Sequence, residues 1–468
     1  MTVAARSEAM RRSSPAPAAG PGAPSPDGLR PPVPLFPLEL EWKAQPRLWG
    51  PSLHPMCTYL AAFPAGLPHA LIARYTRPGD VVLDPFSGRG TTPLQACAEG
   101  RVGVGNDLSP LAYLLTAAKV DPPQPAELAG RLGELRARWT DQATSPASAP
   151  DVPAEVAVCF HPRTLAQLRF LRSSISLSDR TDRFLAAAVA GILHGRGHGF
   201  LSGVMPNAFS LPSAYVCRYA RAVGFHAESR DLFDLLEMKI RRLLRDPLPS
   251  MRGIALLGDA RDAGSRTRRA LKGHSLPDRV RLVVTSPPYL RVVHYGASNW
   301  LRLWFLGLDP QALDARLDHA HRTEAWLRFL RETLADLQGA LSDDAVVVLV
   351  LGDVESDGGH RLGRHIDLAA LAWEAAAEPE GYRLAGIAAD HVAAHRKTTR
   401  IWGDRAGRAT RVDRILAISP TELGRRRELA GAALPIDWTW PPPARGWALR
   451  AADRDRSAPV APSPRRAP

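Results

Sequence analysis

Residues 81–92 read Val81-Val82-Leu83-Asp84-Pro85-Phe86-Ser87-Gly88-Arg89-Gly90-Thr91-Thr92, and this stretch decides the fold. The apolar run at its start is typical of a buried strand, and Gly88 and Gly90 predict a sharp turn after that strand. A Cβ at either glycine would obstruct the close approach of a ligand to the backbone. Thr91 and Thr92 then begin a predicted helix whose free N–H groups point toward that ligand. The stretch therefore predicts a strand, a turn and a helix that together hold a nucleotide-like cofactor.

A second motif lies far along the chain, where residues 285–289 read Thr285-Ser286-Pro287-Pro288-Tyr289 after another mostly apolar run at 280–284. Two consecutive prolines fix the backbone and remove two N–H donors, so the loop presents carbonyls and a hydroxyl. Ser286 and the carbonyl of Pro287 are placed to accept the N–H bonds of an exocyclic base amine, and Tyr289 can stack on the base. The loop therefore predicts a site for a planar group that carries an amine.

Acidic residues follow two further predicted strands. Asp107 ends the strand after the glycine turn, where a carboxylate can accept bonds from both hydroxyls of a ribose. Asp259 follows the next strand and is placed to accept a hydrogen bond from an adenine amino group. The turn lacks the Lys-Ser/Thr pair of a P-loop, which argues against a nucleoside triphosphate.

Strand and helix patterns alternate along the chain, which predicts a Rossmann-like α/β fold with a seven-stranded, mostly parallel sheet. The predicted strands are 81–84, 102–107, 253–257, 281–285, 345–351, 383–391 and 412–418. The predicted domains are a Pro/Ala-rich disordered tail (1–40), one α/β domain (41–120 and 251–420), a helical insertion within it (121–250) and a C-terminal extension with a basic tail (421–468).

Composition narrows the class of partner. The chain has 468 residues and a formal net charge of +13, which favours a polyanion such as nucleic acid. No apolar run is long enough to span a bilayer and no signal-peptide core follows Met1, so we expect a cytoplasmic protein without a membrane partner. The four cysteines form no CxxC pair, and we expect no metal site.

Two basic regions are candidates for contact with nucleic acid. One is a predicted loop between the last two strands, with Arg396, Lys397, Arg400 and Arg405. The other is the helical insertion, in which 121–250 is a candidate for DNA recognition. Its candidate arginines are Arg163, Arg169, Arg172, Arg180, Arg183, Arg196 and Arg218. Phosphate contacts position a protein without specifying sequence, so the charges alone leave the choice open.

These motifs resemble those of the DNA methyltransferases that methylate exocyclic amino groups with S-adenosylmethionine. The Ser-Pro-Pro-Tyr form is most similar to the N4-cytosine branch, whereas the N6-adenine enzymes more often carry Asp or Asn before the prolines. The resemblance covers 54–119 and 253–418, and the segment from His54 to Pro64 is similar to the family's element that closes over the methionine part of the cofactor.

The resemblance implies a methyltransferase fold, S-adenosylmethionine as cofactor and a flipped DNA base as target, and it leaves open whether a restriction endonuclease is a partner. It implies that Ser286, Pro287, Pro288 and Tyr289 form the catalytic amine site. It also implies the cofactor contacts Phe63, Asp84, Phe86, Gly88, Gly90, Thr91, Asp107 and Asp259.

Three other functions compete with this interpretation. Cytosine C5 methylation needs a cysteine nucleophile, usually after a proline, and no cysteine here follows a proline. Methylation of an amino group in RNA, such as guanine N2 in transfer RNA, is the nearest enzyme alternative, although no appended RNA-binding domain is evident. A module that binds nucleic acid without catalysis is the third, and the intact Gly88, Gly90, Ser286 and Tyr289 argue against it.

Overall fold

The structure is a computed structural model that describes part of the chain. The described residues are 41–46, 48–59, 62–139, 152–195, 197–203, 212–288, 295–316, 322–352, 354–355, 365–391, 412–422, 424 and 436–440. The predicted tail at 1–40 lies outside them, as do Tyr289 and all four basic residues of the predicted loop, Arg396, Lys397, Arg400 and Arg405.

A seven-stranded sheet forms the centre of the molecule, in the order β3-β2-β1-β4-β5-β9-β8. Its strands are β1 (Val81–Asp84), β2 (Val102–Asp107), β3 (Ile254–Leu257), β4 (Val280–Thr285), β5 (Leu341–Gly352), β8 (Arg383–His391) and β9 (Val412–Ser419). β9 is antiparallel to both of its neighbours, and the pairs from β3 to β5 are parallel. A separate ladder joins β6 (Val354–Glu355) to β7 (His365–Ile366). The predicted fold class is confirmed.

Helices cover both faces of the sheet. Those of the α/β part are α1 (Gly66–Tyr75), α2 (Thr91–Ala98), α3 (Pro110–Val120), α10 (Ala263–Gly273), α11 (Tyr295–Ser298), α12 (Trp300–Leu306), α13 (Pro310–Arg316), α14 (Thr323–Gln338) and α15 (Leu368–Ala372), which continues as a π-helical turn (Trp373–Ala377). Those between β2 and β3 are α4 (Pro125–Arg138), α5 (Ala154–Ala157), α6 (Pro162–Ser174), α7 (Arg180–Ala190), α8 (Ser213–Ala222) and α9 (Leu232–Leu243). None of the helices in the described ranges has the length and apolarity that a bilayer span needs.

The strands of the sheet bury side chains on both faces. In β1, Val81 and Leu83 pack with α14 on one face, while Val82 packs with α1 on the other. This alternation follows from the two-residue period of a strand, and it explains why the first three residues of β1 are all apolar. The chain order reverses between β1 and β4, and such a switch point places a crevice at the carboxyl ends of the two strands.

The helices α4 to α9 share one apolar core with α3 and with α12. Leu115 of α3, Leu185 of α7 and Leu303 of α12 are all fully buried in this cluster. Arg302 of α12 donates from Nε to the carbonyl of Ala190 at 3.1 Å, at the end of α7. The helical segment therefore supports the elements that flank the crevice.

The segment that leads into the crevice is anchored on the same helices. Lys239 of α9 donates to the carbonyl of Pro55 at 3.0 Å. The Ser52 hydroxyl donates to the carbonyl of Leu243 at 2.8 Å. These bonds hold the chain just before Tyr59, which reaches the candidate site described below.

Residues 436–440 pack back onto the α/β part. The Trp49 indole N–H donates to the carbonyl of Trp438 at 3.1 Å, and the two rings meet edge to face at 5.4 Å. His69 of α1 lies 2.9 Å from the carbonyl of Asp437. This part of the predicted C-terminal extension is thus packed against α1, the helix that precedes β1 and the glycine turn.

Candidate active site

The turn after β1 has the backbone that its glycines predict. Gly88 and Gly90 adopt φ values of 50° and 75°, in the left-handed region. A Cβ at Gly90 was expected to obstruct a ligand, but it would instead lie 2.8 Å from Oγ1 of Thr116 on α3. Gly90 therefore permits close packing of the turn on α3. A Cβ at Gly88 would instead project toward the Tyr59 ring, 3.5 Å away, so it would narrow the space between them.

A buried lysine supports the turn from below. Lys119 of α3 has no exposed surface, and its Nζ donates to the carbonyl of Arg89 at 2.6 Å and to that of His54 at 3.2 Å. Burial lowers the pKa of Lys119 well below its usual value. The role of Lys119 was not predictable, because nothing in the sequence shows that a lysine on a predicted helix is buried. Lys119 joins the cofactor turn to the segment that precedes it.

Asp107 lies at the end of β2, beside the turn. One carboxylate oxygen accepts the N–H of Gly88 at 2.8 Å and the other accepts that of Ser109 at 2.9 Å. Burial raises the pKa of Asp107 from 3.8 to about 6. The carboxyl group is thus held in place at the wall of a cavity, where a ribose would meet it.

Asp84 joins the two sequence motifs. Its side chain is 2% exposed, and its Oδ1 accepts the hydroxyl of Thr285 at 2.5 Å and the N–H of Phe86 at 3.2 Å. Burial raises the pKa of Asp84 to about 7. Since Thr285 ends β4, this bond fixes the glycine turn and the proline loop relative to each other.

Asp259 follows β3 and is engaged by a neighbour. Arg261 donates to it through Nη2 at 2.7 Å and Nε at 3.1 Å, and the Arg261 backbone N–H donates at 2.9 Å. The same guanidinium lies 3.4 Å from Glu332 and above the ring of Phe329. An adenine amine would therefore share this carboxylate with Arg261 or displace it toward Glu332.

The proline loop lies across the crevice from the glycine turn. Ser286 and Pro288 line the cavity, and Pro287 is buried beside them. The indole N–H of Trp326 on α14 donates to the carbonyl of Pro288 at 2.8 Å, and Trp326 is 1% exposed. This contact was not predicted, and it fixes the orientation of the loop backbone.

Aromatic rings form two walls of the cavity. Phe86 and Phe329 meet edge to face with centroids 5.6 Å apart. Tyr59 and Tyr295 stack at 6.1 Å on another wall. The sequence does not reveal Tyr59 or Phe329 as residues of this cavity. Tyr59 does lie within the segment from His54 to Pro64 that the resemblance marks.

One open cavity brings most of the predicted residues together. Those that line it are Phe63, Asp84, Phe86, Gly88, Thr91, Asp107, Asp259, Ser286 and Pro288. Gly90 and Pro287 adjoin it without lining it. No cluster of His, Cys, Asp or Glu that could hold a metal ion occurs within the described ranges.

The comparisons with known proteins agree with this arrangement. A family model for N6- and N4-methyltransferases, described as DNA methylase, matches residues 42–117. The matched segment contains the glycine turn and Asp107. The match supports an S-adenosylmethionine-dependent amino-methyltransferase of the N4/N6 family, as the residues predicted, and S-adenosylmethionine as its cofactor. No curated protein matches the chain at a significant level.

Several solved structures are weakly similar to the chain. TrmN from Thermus thermophilus is 13% identical, with 78% of this chain and 52% of that chain covered and a TM-score of 0.29. A candidate DNA modification methylase from the same species, complexed with S-adenosyl-L-methionine, is 21% identical over 35% of this chain and 51% of that chain, with a TM-score of 0.21. The rRNA methyltransferase aviRa from Streptomyces viridochromogenes is 13% identical over 81% of this chain and 94% of that chain, with a TM-score of 0.31. The chain spans about half the length of the first two, and similarities at this level say nothing about its substrate.

The cavity residues fit S-adenosylmethionine. Because Gly88 has no side chain, space remains between its backbone and the Tyr59 ring. The Asp107 carboxylate, which accepts the Gly88 N–H, lies beside this space. The Phe86 and Phe329 rings provide apolar walls for a planar base. The described residues thus offer a polar site for a ribose and an apolar slot for an adenine within one space.

Proposed function

We propose that the chain is a DNA methyltransferase that methylates the exocyclic amino group of a flipped base, most favourably N4 of cytosine. One observation carries the proposal, namely that the Thr285 hydroxyl bonds to Asp84 at 2.5 Å. This bond places the cofactor turn and the Ser-Pro-Pro loop on opposite sides of the same cavity. A methyl donor and an amine acceptor held there would be neighbours, as an in-line transfer requires.

Each cofactor contact follows from the geometry of this chain. S-adenosylmethionine supplies an electrophilic methyl group when it is bound. Asp107 would bind the ribose hydroxyls with the carboxylate that Gly88 and Ser109 orient. Asp259 would accept a bond from the adenine amine, and Phe63 would cover the methionine part.

The proline loop would prepare the amine. The lone pair of an exocyclic amine is delocalised into the base, which makes the nitrogen a weak nucleophile. Accepting its N–H bonds at the Ser286 hydroxyl and the Pro287 carbonyl favours a pyramidal nitrogen with a free lone pair. Because Trp326 holds the Pro288 carbonyl, the backbone before it keeps a fixed orientation. In the transfer, the new N–C bond would form as the S–CH3 bond of the donor breaks, S-adenosylhomocysteine would be the leaving group, and the amine would release one proton to solvent.

The target base must leave the duplex to reach the cavity. Extrusion costs the stacking and pairing energy of that base, which an aromatic side chain can partly restore. We assign that role to Tyr289, and we assign phosphate contacts to Arg396, Lys397, Arg400 and Arg405. These five residues are proposed from the sequence. Serine before the two prolines is the basis for favouring cytosine N4 over adenine N6.

The cellular setting follows from the proposed substrate. A protein that methylates DNA would act in the cytoplasm of a cell without a nucleus. Restriction and modification, with an endonuclease as partner, is the context that we propose for such an activity. Comparing DNA modification in cells with and without such a partner would test this part.

The experiment is transfer of a tritiated methyl group from S-adenosylmethionine to duplex DNA. We expect label in DNA with the wild type and a much lower turnover with Ser286→Ala, whose cofactor affinity should be unchanged because the hydroxyl faces the target. Label in structured RNA and none in DNA would replace this proposal with the RNA alternative. Cofactor binding without transfer to either would favour a module that only binds.

A further inference from the structure

The inference concerns a stretch of the helical segment that carries no negative charge. Residues 183–227 contain no Asp or Glu, although the chain as a whole has 47. The helix α8 (Ser213–Ala222) lies within this stretch. A protein surface built from such a stretch attracts polyanions without local competition from carboxylates.

Several arginines of the neighbouring helices are neutralised within the protein. Arg131 pairs with Asp182 at 2.8 Å, and Arg180 pairs with Glu127 at 2.8 Å. Arg163 pairs in the same way with Asp231 at 3.2 Å. Two of the arginines that the sequence offered as DNA contacts, Arg163 and Arg180, are therefore occupied within the protein.

The arginines of α8 are different. Arg218 and Arg221 are exposed, and neither has an ion pair within the described part of the chain. A free guanidinium on a helix remains available for a phosphate, to which it can donate two parallel hydrogen bonds. The charge on α8 is therefore available to a partner.

Aromatic side chains accompany these charges. Val216 and Ala220 bury one side of α8, each at 2% exposure. Tyr215 and Tyr219 stack on each other at 6.4 Å with an interplanar angle of 14°, and Tyr215 is 44% exposed. One helix thus presents Tyr215 and two arginines that have no ion pair within the described part of the chain, while Tyr219 packs partly against the core. We name Tyr215, Arg218, Tyr219 and Arg221 the α8 surface.

We propose that the α8 surface binds the DNA substrate, with Arg218 and Arg221 on phosphates and Tyr215 against an exposed base or sugar. Tyrosine and arginine together are the combination that holds nucleotide strands through stacking and charge. A second copy of this chain is a poorer occupant, since both partners would carry a net charge of +13. The inference rests on the proposed function in taking DNA as the substrate.

The test compares two double variants with the same change in charge. Arg218→Ala/Arg221→Ala removes the free arginines, and Arg241→Ala/Arg245→Ala removes two exposed arginines of the neighbouring α9 region that pair with Glu237 and Asp246. Fluorescence anisotropy with a short mixed-sequence duplex is recorded over a range of salt concentrations. Each phosphate that is no longer neutralised should lower the slope of log affinity against log salt by about 0.9, so we expect a decrease of about two for the α8 variant alone.

Further variants separate stacking from charge and from misfolding. With a duplex that carries a single-stranded overhang, Tyr215→Ala should weaken binding about tenfold, within the range measured for stacking of aromatic side chains on unpaired bases. Calorimetry with S-adenosylmethionine should give wild-type affinity for every variant, since the α8 surface lies outside the cofactor cavity. If the double variant fails this check, Arg218→Gln is compared with Arg241→Gln in its place.

Equal slopes for the two double variants would overturn the inference, as would a reduced affinity for an RNA hairpin but not for the duplex. Because binding is measured without transfer, the outcomes remain distinct from those of the proposed function. Weakened DNA binding by the α8 variant supports the surface even if no methyl group is transferred. Methylation of DNA with unchanged binding by that variant supports the function and rejects the surface.

Discussion

Two carboxyl groups, the buried Asp84 and the half-buried Asp107, lie at the ends of adjacent strands and differ in their hydrogen-bond partners. Asp107 accepts two backbone N–H groups, whereas Asp84 accepts the hydroxyl of Thr285 from the neighbouring strand. Both were predicted at strand ends, because an acidic residue that follows an apolar run can be recognised in the sequence. Their raised pKa values were not predictable, since burial depends on the surrounding helices.

The first prediction concerns pH and cofactor affinity. Burial raises the pKa of Asp107 to about 6, so its acceptor form predominates above that value and is lost as the pH falls through it. Affinity for S-adenosylmethionine should therefore decrease below about pH 6. Calorimetry across this range tests it, and Asp107→Asn should bind weakly with little dependence on pH. A wild type whose affinity stays constant would contradict the assigned role.

The contribution of Asp107 to the stability of the fold should depend on pH in the opposite direction to its contribution to cofactor affinity. A carboxyl group whose pKa is higher in the folded state than its ordinary value of 3.8 stabilises the fold when protonated and loses that contribution as the pH rises through about 6. The free energy of unfolding of the wild type should therefore fall as the pH rises from 3.8 to about 6, and this fall should be smaller in Asp107→Asn. This measurement serves as the control, because it needs no cofactor.

The second prediction concerns the bond that joins the two motifs. Thr285→Val keeps the shape of the side chain but removes the hydroxyl that donates to Asp84. Above pH 7, where Asp84 is ionised, we expect it to lower the free energy of unfolding by about 1.5–3 kcal/mol, the range for hydrogen bonds to charged groups. Chemical denaturation measures the change, with Thr285→Ser as the variant that keeps the donor. A valine variant as stable as the wild type would show that the bond contributes nothing.

At the scale of elements, the strands were the most predictable part. The predicted bounds of β1, β2 and β8 agree with the structure, while β3 begins one residue later, β4 begins one residue earlier and β9 ends one residue later than expected. The bounds of β5 differ most, since the strand spans Leu341–Gly352 where 345–351 was predicted. Parallel strands buried on both faces are continuous apolar runs, so short strands bounded by turn residues stand out. The long helical stretch was predictable for a similar reason, since its apolar residues recur with a helical period.

Contacts between elements were the least predictable part. Trp326 lies 38 residues beyond Pro288, and no local pattern connects an indole on α14 with a carbonyl in the proline loop. The docking of Trp438 on Trp49 spans a still greater separation of 389 residues. Such contacts depend on the assembled sheet, which explains why the sequence showed the motifs but not the residues that hold them.

The third prediction tests the contact between α14 and the loop. Trp326→Phe keeps an aromatic ring but removes the N–H that donates to Pro288. We expect turnover to fall about tenfold, the effect of about 1.4 kcal/mol on the transition state, with cofactor affinity unchanged. Steady-state kinetics and calorimetry provide the two values. Trp373→Phe, at a half-buried tryptophan outside the cavity, is the matched control and should change neither. Equal decreases in both variants would indicate a general effect on packing.

At the scale of the whole molecule, charge and the central cavity are the two features that point to nucleic acid. The net charge of +13 is spread over the chain, and many of its arginines are paired within the described part. Overall charge therefore overstates the surface that is available to DNA. The basic residues at 396–405, outside the described ranges, are further candidates beside the α8 surface.

The fourth prediction concerns those residues. Neutralising Arg396, Lys397 and Arg400 together should reduce the salt slope of DNA binding by nearly one unit for each phosphate that the variant no longer binds. Arg405 can be added as a fourth change. Anisotropy titrations at several salt concentrations measure the slope. An unchanged slope would assign the phosphate contacts to the helical segment between β2 and β3.

The most direct measurement is mass spectrometry of nucleosides from DNA that has been incubated with the purified protein and S-adenosylmethionine. We predict N4-methylcytosine with the wild type and a strongly reduced yield with Ser286→Ala. N6-methyladenine would reject the choice of base and keep the mechanism, since both targets are exocyclic amines. DNA without any methylated nucleoside, from a protein that binds the cofactor and methylates structured RNA, would contradict the central claim.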